Sequence, residues 1–200
     1  MKRLWILPQI YQNFDPRKAT TMKTPKGISW IVFIILINVP FSGLGQITEQ
    51  GSADADQLLI EAAKEIIRAA GTCALITVDD EGVPRVRAMD PFSPEENLTI
   101  WFGTNSRSRK VDQIKKDPRV TLYYLDSDES GYVIINGRAR LVNDPKEKDK
   151  RWKAEWEAFY PDKTKDYLLI EVTPIWMEVL SPPRGISANP VTWQPPVVNF

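Results

Sequence analysis

The chain has 200 residues, and 26 Lys and Arg balance 26 Asp and Glu, so its net charge is zero. That length suits one domain with a sizeable core, and the neutral balance gives no general pull toward nucleic acid or an anionic membrane. Histidine is absent, which removes Ser-His-Asp and Cys-His nucleophile systems and His-ligated zinc or haem; no metal site is expected.

The N-terminal part reads as a targeting segment. Met22-Lys23-Thr24-Pro25-Lys26-Gly27 is a short basic start, and Ile28 to Val39 is almost purely apolar. The run is shorter than the ~20 residues a spanning helix needs. Gly43-Leu44-Gly45 then places small residues before Gln46. This is the layout of a secretory signal peptide. Cleavage is expected after Gly45, with export to the periplasm; an uncleaved N-terminal anchor is the alternative. Met22 opens a complete signal by itself, so residues 1–21 stand ahead of it as an extension. No cysteine ends the apolar run, which excludes a lipoprotein anchor. The expected organisation is residues 1–45 as extension and signal, 46–181 as the folded domain and 182–200 as a proline-rich tail.

From Asp54 to Ala70 the apolar spacing (Leu58, Leu59, Ala62, Ile66, Ile67) predicts a helix, with Ser52 or Asp54 as its cap and Gly71 at C′. Strands are expected at 73–79, 83–90, 97–103, 120–125 and 132–142. Cys73 lies in the first of these, in the apolar run Cys73-Ala74-Leu75-Ile76-Thr77-Val78, and reads as a buried strand residue. Gly137, inside the long fifth strand, marks a bulge or sharp bend. Asn143-Asp144-Pro145 predicts a second helix running to about Tyr160. Trp152, Trp156, Phe159 and Tyr160 fall on one side of it as a core-facing stripe. Two further strands, 167–173 and 176–180, complete a small, mostly antiparallel barrel. The tail from Pro182 is irregular; it either wraps a partner subunit or is loose. No GxGxxG, Walker loop or CxxC occurs.

Two segments carry the chemistry. In the first, the strand ending at Gly103 stops at Thr104-Asn105-Ser106, and Ser108-Arg109-Lys110 opens a short helix that Pro118 must end. Hydroxyls, two cations and free backbone N–H groups thus meet at one helix N-terminus, where the dipole and unpaired donors favour an anion. A Ser-capped helix with solvated surface cations is the plainer reading of the same residues. In the second, Val83-Pro84-Arg85-Val86-Arg87-Ala88-Met89-Asp90 follows a turn at Asp79-Asp80-Glu81-Gly82. Strand alternation puts Arg85 and Arg87 on one face, and two like charges side by side repel unless water or an anion separates them. Arg85, Arg87, Arg109 and Lys110 together would make a phosphate clamp of bidentate forks and a point charge.

The ordered set resembles a known family. A helix, a hairpin with Arg-x-Arg, a strand ending in a Thr/Asn/Ser loop, Ser-Arg-Lys at a helix start and Asp-Pro-Arg-Val entering the next strand are similar to the FMN-binding split barrels. These are relatives of pyridoxamine 5′-phosphate oxidase, and the general stress protein type is nearest. The resemblance covers about Asp54 to Ser181. It implies a mostly β fold with flanking helices, a six- to seven-stranded antiparallel split barrel. It implies Arg85, Arg87, Met89, Thr104, Ser108, Arg109 and Lys110 as cofactor-binding residues, and a homodimer with flavin at the subunit interface. FMN is the implied cofactor, with the deazaflavin F420 as alternative, since related split barrels use it. FMN itself carries hydride and electron chemistry, so the reading is an exported flavin-dependent oxidoreductase on an unknown small substrate. A non-catalytic FMN-binding stress protein is the alternative, and no catalytic residue is assigned. The family's vitamin B6 oxidases use a C-terminal Arg-Leu-His-type segment. The matching stretch here, Ile175-Trp176-Met177-Glu178-Val179-Leu180-Ser181-Pro182-Pro183-Arg184, lacks it. Pyridoxamine 5′-phosphate oxidase activity is therefore not expected.

Overall fold

The computed structural model describes residues 44–128 and 130–200, with side chains from residue 53 onward. Residues 1–43, which hold nearly all of the expected extension and signal segment, lie outside the described residues. Among the described residues, no helix is long and apolar enough to cross a membrane.

Helix α1 spans Leu44–Ala70. It begins about ten residues before the start that sequence spacing predicts, so Ser52 and Asp54 lie within it rather than capping it. The apolar stripe sets in only after this polar first half, which is why periodicity misses the early turns. Ala63, Ile66 and Ile67 are fully buried, and this face packs against the middle of the sheet. Gly71 ends the helix with φ +67°, the left-handed C′ position that glycine occupies without steric cost.

The strands are β1 Cys73–Val78, β2 Pro84–Met89, β3 Ile100–Asn105, β4 Arg119–Leu125, β5 Tyr132–Val142, β6 Tyr167–Leu180 and β7 Val197–Asn199. They form one antiparallel sheet in the order β2-β1-β4-β5-β6-β3, with β7 added to β6. The sheet curls so that its two edges meet. A bridge joins Pro91 to Phe102, and the Phe92 N–H donates to the Trp101 carbonyl at 2.9 Å. Helix α2 Arg109–Lys116 links β3 to β4. The expected split barrel with flanking helices is thus present.

One core fills the concave side. Leu75, Phe102, Leu122, Tyr124, Ile135 and Ile170 lie there with no exposed surface, together with α1. Cys73 belongs to it, and burial pushes its thiol up to about 12, which keeps it protonated and unreactive at neutral pH.

The sequence breaks β6 at Pro174, but the strand is continuous. The pairing steps from Asn136/Trp176 to Gly137/Pro174, so Ile175 is an extra residue. One inserted residue switches side-chain parity. Accordingly Ile170 and Val172 point into the core before the bulge, and Met177 and Val179 after it. Pro174 is tolerated because on its other side the pairing with β3 ends at Val172 and that with β7 starts at Trp176. No ladder donor is required there. Gly137 marks the irregularity, as expected from sequence. The tail is not loose: β7 extends the sheet along β6, and Val198 is buried in the core.

The second helix is also shorter than periodicity predicts. α3 covers only Pro145–Lys150, capped by the Asp144 side chain, and Arg151 leaves the helical region. A 3₁₀ turn, Ala154–Trp156, and the short α4, Lys163–Asp166, follow. The aromatic residues drive this wrapping. Trp152, Trp156 and Tyr160 pack with Phe92, Trp101 and Tyr167 in a second cluster on the convex side of β3 and β6. The Arg151 guanidinium lies 3.7 Å over the Trp101 ring. Phe159 does not join them and is 70% exposed.

Candidate functional site

Strand alternation and one short helix assemble the site. In β1 the buried side chains are Cys73, Leu75 and Thr77. The register sets Met89, Arg87 and Arg85 opposite them, so these three share the concave face at the sheet edge. Met89 packs against the core. Arg87 is half-buried, and Arg85 is exposed where β2 starts. From the other edge, β3 brings buried Thr104 to the same end of the barrel. α2 then starts at Arg109, directly after Ser108, and is anchored through Val111 and Ile114.

Ser108 precedes the helix with extended backbone, but its side chain makes no cap bond. Its hydroxyl instead lies 3.2 Å from the Thr104 hydroxyl. Lys110 Nζ donates to Thr104 Oγ1 at 3.0 Å. Arg87 donates through Nη1 to Thr77 Oγ1 at 2.8 Å and through Nη2 to Gln113 Oε1 at 3.0 Å. Arg109 and Gln113 line a cleft of about 310 Å³ with Arg85, Asp79, Asp80, Glu81 and Asp112. There Arg85 is held by Asp79 at 2.6 Å, and Lys116 meets Asp80.

The decisive feature is charge without counter-charge. Among the described residues, no carboxylate lies within salt-bridge distance of Arg87, Arg109 or Lys110. Burial lowers the pKa of Lys110, and the Arg87 charge lowers it further. Arg87 is lowered by burial and then by the Arg109 charge. Partly desolvated cations that repel one another are costly, and a bound anion relieves both terms. The open N–H groups of the first turn of α2 add to the same field. A phosphate monoester fits this donor set.

Thus Arg87, Thr104, Ser108, Arg109 and Lys110 come together, Arg85 borders the cleft in an ion pair, and Met89 lies beside the core. Sequence reasoning missed Thr77 and Gln113. Thr77 looks like an ordinary member of an alternating strand. Gln113 stands four residues after Arg109 and three after Lys110, on one face of α2, and that spacing could have found it. Among the described residues, no group of three or more His, Cys, Asp or Glu side chains is placed to hold a metal ion.

Residues 59–179 match the family model described as pyridoxamine 5′-phosphate oxidase like. The chain belongs to this family. The matched span runs from α1 to the end of β6 and includes the whole cation cluster of this pyridoxamine 5′-phosphate oxidase-like protein. General stress protein 26 of Bacillus subtilis (strain 168) is 30% identical to it over 105 residues, 50% of this chain and 73% of that protein. Two solved structures share the fold. A Clostridium acetobutylicum protein related to general stress protein 26 has a TM-score of 0.58 at 21% identity, covering 72% of this chain and 96% of its own. General stress protein 26 of Bacillus anthracis str. Sterne has a TM-score of 0.57 at 22% identity, covering 71% and 98%.

Proposed function

We propose that this chain binds FMN through its phosphate and works as an exported flavin-dependent oxidoreductase. The observation that carries the reading is the trio Arg87, Arg109 and Lys110 at a helix N-terminus, with Arg87 and Lys110 held by neutral partners. Arg87, Arg109, Lys110 and the Ser108 and Thr104 hydroxyls would hold the phosphate. When bound, FMN supplies hydride and electron transfer; the protein binds and orients it. The absorbance spectrum of the purified protein and the mass of the released ligand test this. A flavin spectrum with the mass of FMN is expected. Release of F420, or no uptake of either cofactor by the protein, would contradict it. A flavin that no nicotinamide donor or dithionite can reduce would favour a pure binding protein.

Vitamin B6 oxidation falls outside this proposal, because a substrate phosphate needs cations of its own. Arg184, the cation beside the C-terminal strand, already donates to Asp126 at 2.6 Å and Ser181 at 3.0 Å and pairs with Glu65. The purified holoprotein is expected to give no steady pyridoxal phosphate production from pyridoxamine 5′-phosphate; sustained production would overturn this.

The active form is a homodimer in this proposal. The convex face of the sheet carries Ile76, Tyr123, Ile134 and Trp176, half-buried, with Val86 and Ile175 more open. A sheet apolar on both faces gains by covering the second one. Light scattering should give twice the chain mass; a monomer with tightly bound FMN would rule the dimer out.

Export follows from the segment between Lys23 and Gln46. N-terminal sequencing of protein recovered from cells should begin near Gln46. A mature chain that keeps Ile28 to Val39 would indicate an anchor.

A further inference from the structure

The hydrogen bonds among Thr77, Arg87 and Gln113 have one consistent polarity. A guanidinium only donates. The Gln113 atom 3.0 Å from Arg87 Nη2 is therefore the amide oxygen, and Thr77 Oγ1 accepts from Nη1 at 2.8 Å. The Thr77 hydrogen then goes to the same Gln113 oxygen, at 2.6 Å. Thr77 is wholly buried, so the triangle is fixed from the strand side, and the anchored α2 fixes it from the helix side.

Elsewhere among the described residues, several arginines are restrained by carboxylates. Asp79 holds Arg85, Asp166 holds Arg107, Asp117 holds Arg119 and Glu171 holds Arg140. Glu95 and Glu147 hold Arg151. A carboxylate orients a guanidinium but also cancels its charge, whereas an amide oxygen orients it and leaves the charge available to a ligand. We propose that Gln113 is a positioning residue, which aims the Arg87 guanidinium at the bound anion while keeping its charge uncompensated. This rests on the reading of the cluster as a phosphate site.

The test compares FMN with riboflavin, which lacks the phosphate, on the full-length protein and on Gln113→Glu and Gln113→Leu. Glutamate keeps the acceptor and adds a charge that pairs with Arg87; leucine removes the acceptor and leaves Arg87 oriented by Thr77 alone. Each variant should weaken FMN binding about tenfold or more and leave riboflavin affinity unchanged. A merely structural role of Gln113 would shift both ligands together, and thermal melting controls for folding. Wild-type FMN affinity in a folded variant, or equal losses for FMN and riboflavin, would overturn the assignment. A wild-type protein with no preference for FMN over riboflavin would overturn the phosphate site itself, and this inference with it.

Discussion

Replacing Arg109 and Lys110 together by alanine is expected to weaken FMN binding by roughly a hundredfold or more, with the fold intact. Each charge-assisted hydrogen bond lost costs about 1.5–3 kcal/mol, and tenfold in affinity corresponds to about 1.4 kcal/mol. Two such losses together amount to roughly a hundredfold or more when they add. Stability of the ligand-free protein should not suffer. Arg109 is exposed, and removing Lys110 relieves repulsion with Arg87. Titration of the folded double variant checks this, and unchanged affinity would contradict it.

A large effect on stability is expected at Gly137. A Cβ there would lie 2.5 Å from the Thr173 carbonyl oxygen and 3.0 Å from Val172 Cγ1. The nearer contact is backbone, so β6 must move at the bulge that sets its parity. Gly137→Ala should destabilise the fold by about 2 kcal/mol or more. For a chain of this size that lowers the melting temperature by ~4–8 °C. An unchanged midpoint in thermal melting would mean that the bulge yields freely.

The sequence made the strands legible where one face is apolar. β5 runs from Tyr132 to Val142 as alternation predicts, and Gly137 marks the irregularity within it. It misled where tertiary packing overrides local pattern. Pro174 looks like a strand break, but it falls where β6 lacks a neighbour on one side, so the missing N–H costs little. The aromatic spacing from Trp152 to Tyr160 looks helical. The rings instead wrap a convex sheet surface that sequence periodicity cannot reveal. At the site, the basic residues stood out because charge is visible in a sequence. Thr77 and Gln113 did not, because their roles depend on one strand and one helix meeting 36 positions apart.

The central claim is that Arg87, Arg109 and Lys110 form a phosphate site. The most direct test is calorimetric titration of the ligand-free protein with FMN and with riboflavin under one buffer and salt condition. FMN should bind at least about a hundredfold more tightly, because riboflavin makes none of the charge-assisted contacts. Equal affinities would mean that the cluster does not recognise the phosphate.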